Sequence, residues 1–189
     1  ESSYAISLPL VAWQPVAFYK ESTTGFFVQA MYYGAILILV LYNLALSISL
    51  RDRRFLLYVG FAFFMCVGVF AGNGMARLVL WPEWERFDEI AGTFFITVST
   101  IFSVLFSLQF LQTKTHAPRV AIGMQGLVIA LVLVAAMQLA GIWYSPLVGF
   151  AFKTVSFLAL ILFAGLLTAS YQAVHARVPG ILLFITAWS

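Results

Sequence analysis

The chain has 189 residues, of which 63% are hydrophobic and only 9% charged, with a mean hydropathy of +1.01. Soluble domains carry about 25% charged residues, so a soluble globular fold is excluded. A net charge of +3 is too small and too scattered for nucleic-acid binding, and the single cysteine, Cys66, rules out an intramolecular disulfide, a CxxC redox pair or a multi-thiolate zinc site.

In chain order, residues 4–11 have a strand-like composition, and residues 15–22 suit a short helix entering a membrane. Residues 1–25 together read as the tail of an extracytoplasmic domain. Residues 26–50 are free of formal charge, and at about 1.5 Å per helical residue they exceed a hydrocarbon core roughly 30 Å thick. In lipid only a helix or a closed barrel satisfies its backbone, and the alternating pattern of a barrel strand is missing. Further apolar stretches predict spans at 55–80, 90–113, 120–141 and 146–171. The last two are divided by Gly141-Ile142-Trp143-Tyr144-Ser145-Pro146, a glycine and proline junction that reads as a turn. A sixth span begins at residue 180. The expected fold is all-α: a polytopic transmembrane helix bundle over residues 26–189, with five complete spans and the start of a sixth. A first residue that is Glu1 and a final apolar run predict that the sequence is a piece of a longer protein.

Orientation follows from the cations, because short loops rich in Lys and Arg stay cytoplasmic. One set of loops holds Arg51, Arg53, Arg54, Lys114, Arg119 and Arg177 with one acid, Asp52. The other holds only Lys20 and Arg86, with Glu1, Glu21, Glu83, Glu85, Asp88 and Glu89. The N-terminus is therefore expected outside the cell, and the loops after spans one, three and five inside. Trp81, Pro82, Trp84 and Trp143 fall at the expected outer boundary, where amphipathic rings anchor among headgroups. The segment Arg51-Asp52-Arg53-Arg54 is expected to fix the first inner turn, its arginines meeting anionic headgroups.

Polar residues inside the spans form two stripes. Gln29, Tyr32, Tyr33, Asn43 and Ser47 share one arc of the first span, with Tyr42 pointing elsewhere; Thr93, Thr97, Thr100, Ser103 and Ser107 line the third. A stripe of this kind is either a polar ligand pathway or ordinary helix contact, and contact is the preferred reading. Gly68 and Gly72 make a small-xxx-small motif that suits either a dimer seam or an internal contact. Lys153 is the one charge well inside a span. About two turns from the outer end, it is expected to snorkel outward or to meet the acids at 83–89. Arg77, one turn after Asn73, is expected to complement a helix C-terminus.

Enzyme chemistry has little support. HExxH, GxSxG and an intramembrane aspartate are all missing, so the fragment is not expected to be an enzyme, and no catalytic or metal-ligating residue is expected in it. His116 and His175, without a nearby carboxylate or thiolate, make a poor metal site. Retinal attachment at Lys153 would need a carboxylate counter-ion that no span supplies, so no cofactor is implied. The competing function is a solute carrier, which usually shows intramembrane acids or matched broken helices.

Five short motifs in order carry a resemblance: Tyr32-Tyr33-Gly34, Leu41-Tyr42-Asn43-Leu44, Leu50-Arg51-Asp52-Arg53 with Tyr58 behind it, Asn73-Gly74, and Leu80-Trp81-Pro82. Together with Ala187-Trp188-Ser189 at the sixth span, they resemble the bacterial seven-transmembrane receptors with diverse intracellular signalling modules. Leu8-Pro9-Leu10, Trp13 and Phe18 resemble the end of that family's β-rich sensor domain. The resemblance implies a receptor in the bacterial inner membrane that relays an extracytoplasmic ligand signal to a cytoplasmic kinase or cyclic-nucleotide enzyme. Its implied partners are membrane lipid, its own sensor and output domains and, as a candidate, a second copy in a homodimer; nucleic acid is not among them. The ligand-binding residues are unknown. The candidates for transmission or helix contact are Tyr42, Asn43, Asn73, Gly74, Arg77 and Lys153.

Overall fold

The computed structural model describes residues 15–144 and 146–175, all helix or short connection with no strand among them. The strand-like stretch at 4–11 and the sixth span from residue 180 lie outside the described residues. Among the described residues seven helices follow in order: α1 (Pro15–Leu50), α2 (Arg53–Gly72), α3 (Met75–Val79), α4 (Glu85–Phe110), α5 (Thr113–His116), α6 (Pro118–Ala140) and α7 (Pro146–His175). Five of them are long and apolar enough to cross a membrane: α1 from Thr23, α2, α4, α6, and α7 from Gly149.

Two boundaries differ from the sequence expectation. The lead-in at 15–22 is not a separate short helix but the first two turns of α1, which runs for 36 residues. Pro15 stands at its first position, where the missing N–H costs nothing. At about 1.5 Å per residue α1 is about 54 Å long, well beyond the apolar core of a bilayer. The second span, expected as one helix to residue 80, ends at Gly72. Asn73 closes it with its backbone N–H on Val69 O, and Gly74 takes φ +73°, the left-handed region that only glycine adopts freely. The chain then resumes as α3, which carries Arg77 apart from the spanning helix.

Helix α4 is the centre of the bundle: it packs against α2 on one side and α6 on the other, with a smaller contact to α7, while α1 leans on α2. The α2–α4 seam is closest where small residues face each other. A Cβ on Gly68 would sit 2.8 Å from Ile96 Cγ1 and 3.1 Å from Ile96 N, and a Cβ on Gly92 would sit 3.3 Å from Gly72 Cα. The glycine motif thus serves an internal helix contact, with the backbones approaching as they do in membrane helix pairs rich in small residues. Aromatic rings continue the seam: Phe64 stacks on Phe102 at 5.4 Å and on Phe95 at 6.2 Å, and Phe95 stacks on Trp81 at 6.0 Å. Such pairs contribute about 0.5–1.5 kcal/mol each beyond their buried area.

Among the described residues, most of the buried apolar side chains gather in two clusters. Ala71, Ala76 and Ala91, with Phe70, Trp81, Phe87 and Phe95 against them, lie at the end of the bundle marked by the tryptophans. Val104, Leu108, Met124, Leu127, Leu162 and Leu166 belong to a larger cluster between α4, α6 and α7, toward the opposite end. That opposite end carries the Arg51–Arg54 turn. The bundle thus has a tryptophan end and an arginine end.

Candidate functional site

At the tryptophan end, α4 begins with Glu85 and Asp88 in its first turn, acids that favour the positive end of its dipole. Both have side-chain partners. Arg77 on α3 forms an ion pair with Glu85 at 2.6 Å, and the Trp81 indole N–H donates to Asp88 Oδ1 at 2.9 Å. The first pair is exposed on both sides and contributes about 0–1 kcal/mol. The second is half-buried and holds the Trp81 ring against Phe87 and Phe95. Beyond them lies a cavity of about 680 Å³ between the start of α4 and the α6–α7 turn, walled by Trp84, Phe87 and Trp143 and edged by Glu83, Glu85 and Arg86.

From the tryptophan end into the bundle, side chains tie the helices together. Asn73 Nδ2 donates to the Tyr33 hydroxyl at 3.0 Å, and the Tyr33 ring meets Phe70 edge-on at 5.1 Å, which joins α1 to the end of α2. Ser99 Oγ donates to the Phe61 carbonyl at 2.9 Å, joining α4 to α2. Gln138 Nε2 donates to Thr97 Oγ1 at 3.2 Å, joining α6 to α4, while the Thr97 hydroxyl donates to Thr93 O at 2.8 Å. Gln138 and Thr97 are both almost wholly buried, yet Gln138 Oε1 accepts no hydrogen bond among the described residues, and neither does Gln29 Oε1. A buried carbonyl without a donor costs about 1–3 kcal/mol.

At the arginine end, Asp52 caps α2: its Oδ1 accepts from Arg54 N at 2.9 Å. Arg54 also grips the carboxylate through Nε, 2.9 Å from Oδ2, and through a terminal nitrogen, 2.7 Å from the same oxygen. These side-chain and backbone hydrogen bonds hold the Asp52 carboxyl below the usual aspartate range. Arg51 occupies the left-handed region at φ +51° to turn the chain between α1 and α2. Beside this turn is a groove of about 530 Å³ bounded by α1, α2 and α4.

A family model described as 7TM diverse intracellular signalling matches residues 25–189. The chain belongs to that family. No curated protein and no solved structure matches it. This member of the 7TM diverse intracellular signalling family is thus a multi-pass membrane protein carrying a transmembrane signalling receptor domain.

Within that domain the structure separates the residues singled out from sequence. Asn73 and Gly74 sit at the α2–α3 break, where Asn73 reaches across to α1. Arg77 stands in the last turn of the short α3, after the break from the helix that ends at Gly72, and takes an acid on α4 as its partner. Tyr42 and Asn43 both line the arginine-end groove, but Asn43 donates to Leu39 O of its own helix at 2.9 Å. Lys153 is exposed on α7 and forms no ion pair among the described residues; of the acids expected near it, Glu85 is paired with Arg77. Trp84, Trp143 and Pro82 are exposed, but Trp81 is turned inward.

Most of the α4 hydroxyl stripe is spent locally. Thr93, Thr97, Thr100 and Ser107 each donate to a carbonyl three or four residues earlier, which favours helix contact over a polar pathway. The two residues that bridge α4 to its neighbours, Ser99 and Gln138, were missed. Ser99 lies off the stripe. Gln138 is the one amide in the otherwise apolar run 126–140, and that was its only signal.

Proposed function

We propose that this chain is the membrane relay of a bacterial signal-transduction receptor, passing an extracytoplasmic ligand signal to a cytoplasmic output module such as a kinase or a cyclic-nucleotide enzyme. The bundle sits in the inner membrane with the tryptophan end and the N-terminus outside and the arginine end inside. The chain itself carries no catalysis.

The observation that carries this reading is the unbroken course of α1 from Pro15 into the bundle. A receptor must couple its sensor to its membrane part without losing motion in a flexible joint, and a continuous helix is a stiff connection where a glycine-rich linker is not. The second link is α4, bonded to α2 through Ser99 and to α6 through Gln138, so that displacement of one helix is felt by its neighbours. The excess of arginine at one end supports the orientation.

In the complete receptor, two glycines inserted after Ser22 should break α1 and uncouple the output enzyme from the domain ahead of Pro15, with membrane level unchanged. An output that still responds to removal of that domain would refute the relay, as would a mutant defect in solute uptake with normal output. Single cysteines at Trp84 and Thr115 test the orientation. An impermeant thiol reagent should modify the first in intact cells and the second only after permeabilisation; the reverse pattern would overturn it.

A further inference from the structure

We propose that the cavity at the tryptophan end binds a small water-soluble zwitterion, its alkylammonium group among Trp84, Phe87 and Trp143 beside Glu83 and its anionic group on Arg86. The inference goes beyond the relay reading and does not depend on it, because the cavity is built from residues of the membrane domain itself.

The cavity measures about 680 Å³, within the roughly 300–1,000 Å³ of small-molecule sites. Five of its eight lining residues, Pro82, Glu83, Trp84, Ile142 and Trp143, stand in the connections before α4 and after α6, beyond the stretches apolar enough to span. A dissolved molecule therefore reaches it more directly than an acyl chain does. Its walls are held from behind. The Trp81 indole, fixed by Asp88, meets Phe87 edge-on at 5.1 Å, and Phe87 meets Trp84 at 6.2 Å with the rings perpendicular. Opposite them, Ile142 N donates to Leu139 O at 3.2 Å and Trp143 N to Ala140 O at 3.1 Å, which fixes the turn that carries Trp143. Such rings attract an alkylammonium group, whose carbons suit apolar surface while its charge meets the negative ring faces.

Charge then selects the ligand. Three charged residues line the cavity: Glu83, Glu85 and Arg86. Glu85 is neutralised by Arg77, 2.6 Å away. Glu83 and Arg86 form no ion pair among the described residues, so the lining keeps one open carboxylate and one open guanidinium. A plain cation is drawn to Glu83 but opposed by Arg86, and a plain anion meets the reverse. A molecule that carries both charges satisfies both residues. The guanidinium fork suits a carboxylate or phosphate, which it can hold through two parallel bonds.

The test is a ligand-observed NMR titration of the complete receptor in phosphatidylglycerol nanodiscs. The probes are phosphocholine and glycine betaine, with choline and propyl phosphate as molecules that carry one kind of charge each. The wild type should bind a zwitterion more tightly than either single-charge probe. Arg86→Gln should weaken the zwitterions and propyl phosphate by up to about fivefold, the worth of an exposed charge pair, and should not weaken choline. Glu83→Gln should weaken the zwitterions and choline by up to about the same factor and spare propyl phosphate. Trp143→Leu should weaken the zwitterions by about twofold to fivefold. All three side chains are exposed, so their replacement leaves the packed bundle intact. Failure of both zwitterions to bind, equal affinity for a zwitterion and a single-charge probe, or binding that none of the three substitutions weakens would overturn the proposal. So would loss of zwitterion binding in phosphatidylcholine nanodiscs, which would show a lipid headgroup in the cavity.

Discussion

Replacing Gly68 with alanine places a methyl group where α2 and α4 touch. The new carbon would stand 2.8 Å from Ile96 Cγ1, 3.1 Å from Ile96 N and 3.3 Å from Gly92 O. Carbon contacts are optimal at about 3.5–4.0 Å, so the side-chain contact is short by about 0.7 Å. Ile96 is at the edge of exposure and its side chain can swing aside. Its backbone cannot, so the helices must part by a few tenths of an ångström. Overfilling of this kind costs about 1–3 kcal/mol. Alanine also returns about 1 kcal/mol of helix propensity over glycine, which would mask part of the cost. Gly126→Ala removes that ambiguity, because a Cβ there meets nothing within 4 Å. It should stabilise by up to about 1 kcal/mol, and the difference between the two variants isolates the steric part. Helicity followed through a titration of sodium dodecyl sulfate into mixed micelles measures both. Equal shifts for Gly68→Ala and Gly126→Ala would mean that α2 and α4 do not approach as described.

Three further outcomes are expected. Gln138→Leu removes a bond to Thr97 worth about 0.6–2 kcal/mol in a membrane, but also the undonated Oε1, so thermal unfolding in detergent should show a change of less than about 1 kcal/mol. A loss of several kcal/mol would mean that Oε1 has an essential partner. Tyr33→Phe and Asn73→Ala should each lose the same α1–α2 bond, with a coupling of about 0.5–1 kcal/mol in a double-mutant cycle and strict additivity as the refuting result. Asp52 has its pKa depressed by Arg54, so its stabilisation is whole above the unfolded value of about 3.9 and is lost as the pH falls through the lower folded value. Asp52→Asn keeps a capping oxygen and should flatten that acid limb in unfolding measured between pH 6 and pH 3, while Asp52→Ala should also lose about 1 kcal/mol at neutral pH. An acid limb unchanged in Asp52→Asn would refute the assignment.

Repeated crossing of a membrane was legible in the residues alone, because long uncharged runs have one outcome in hydrocarbon: helices whose backbone bonds close within themselves. The turn between α1 and α2 was legible for a related reason, since Asp52 beside Arg54 is a local cap that needs no tertiary contact. Hydropathy was blind to everything that depends on which helix lies beside which. It treated residues 55–80 as one span, although Asn73 and Gly74 end the helix and Asn73 finds its partner forty residues earlier in Tyr33. It set Trp81 with the interface tryptophans, although the Asp88 carboxylate and the Phe87 and Phe95 rings draw it inward. It passed over Gln138, whose burial against Thr97 exists only once α6 lies on α4. The physical reason is that insertion depends on the sum of transfer free energies along a segment, a property of the chain. Neighbour choice depends on close contact between surfaces equally at home in lipid, and only the assembled bundle decides that.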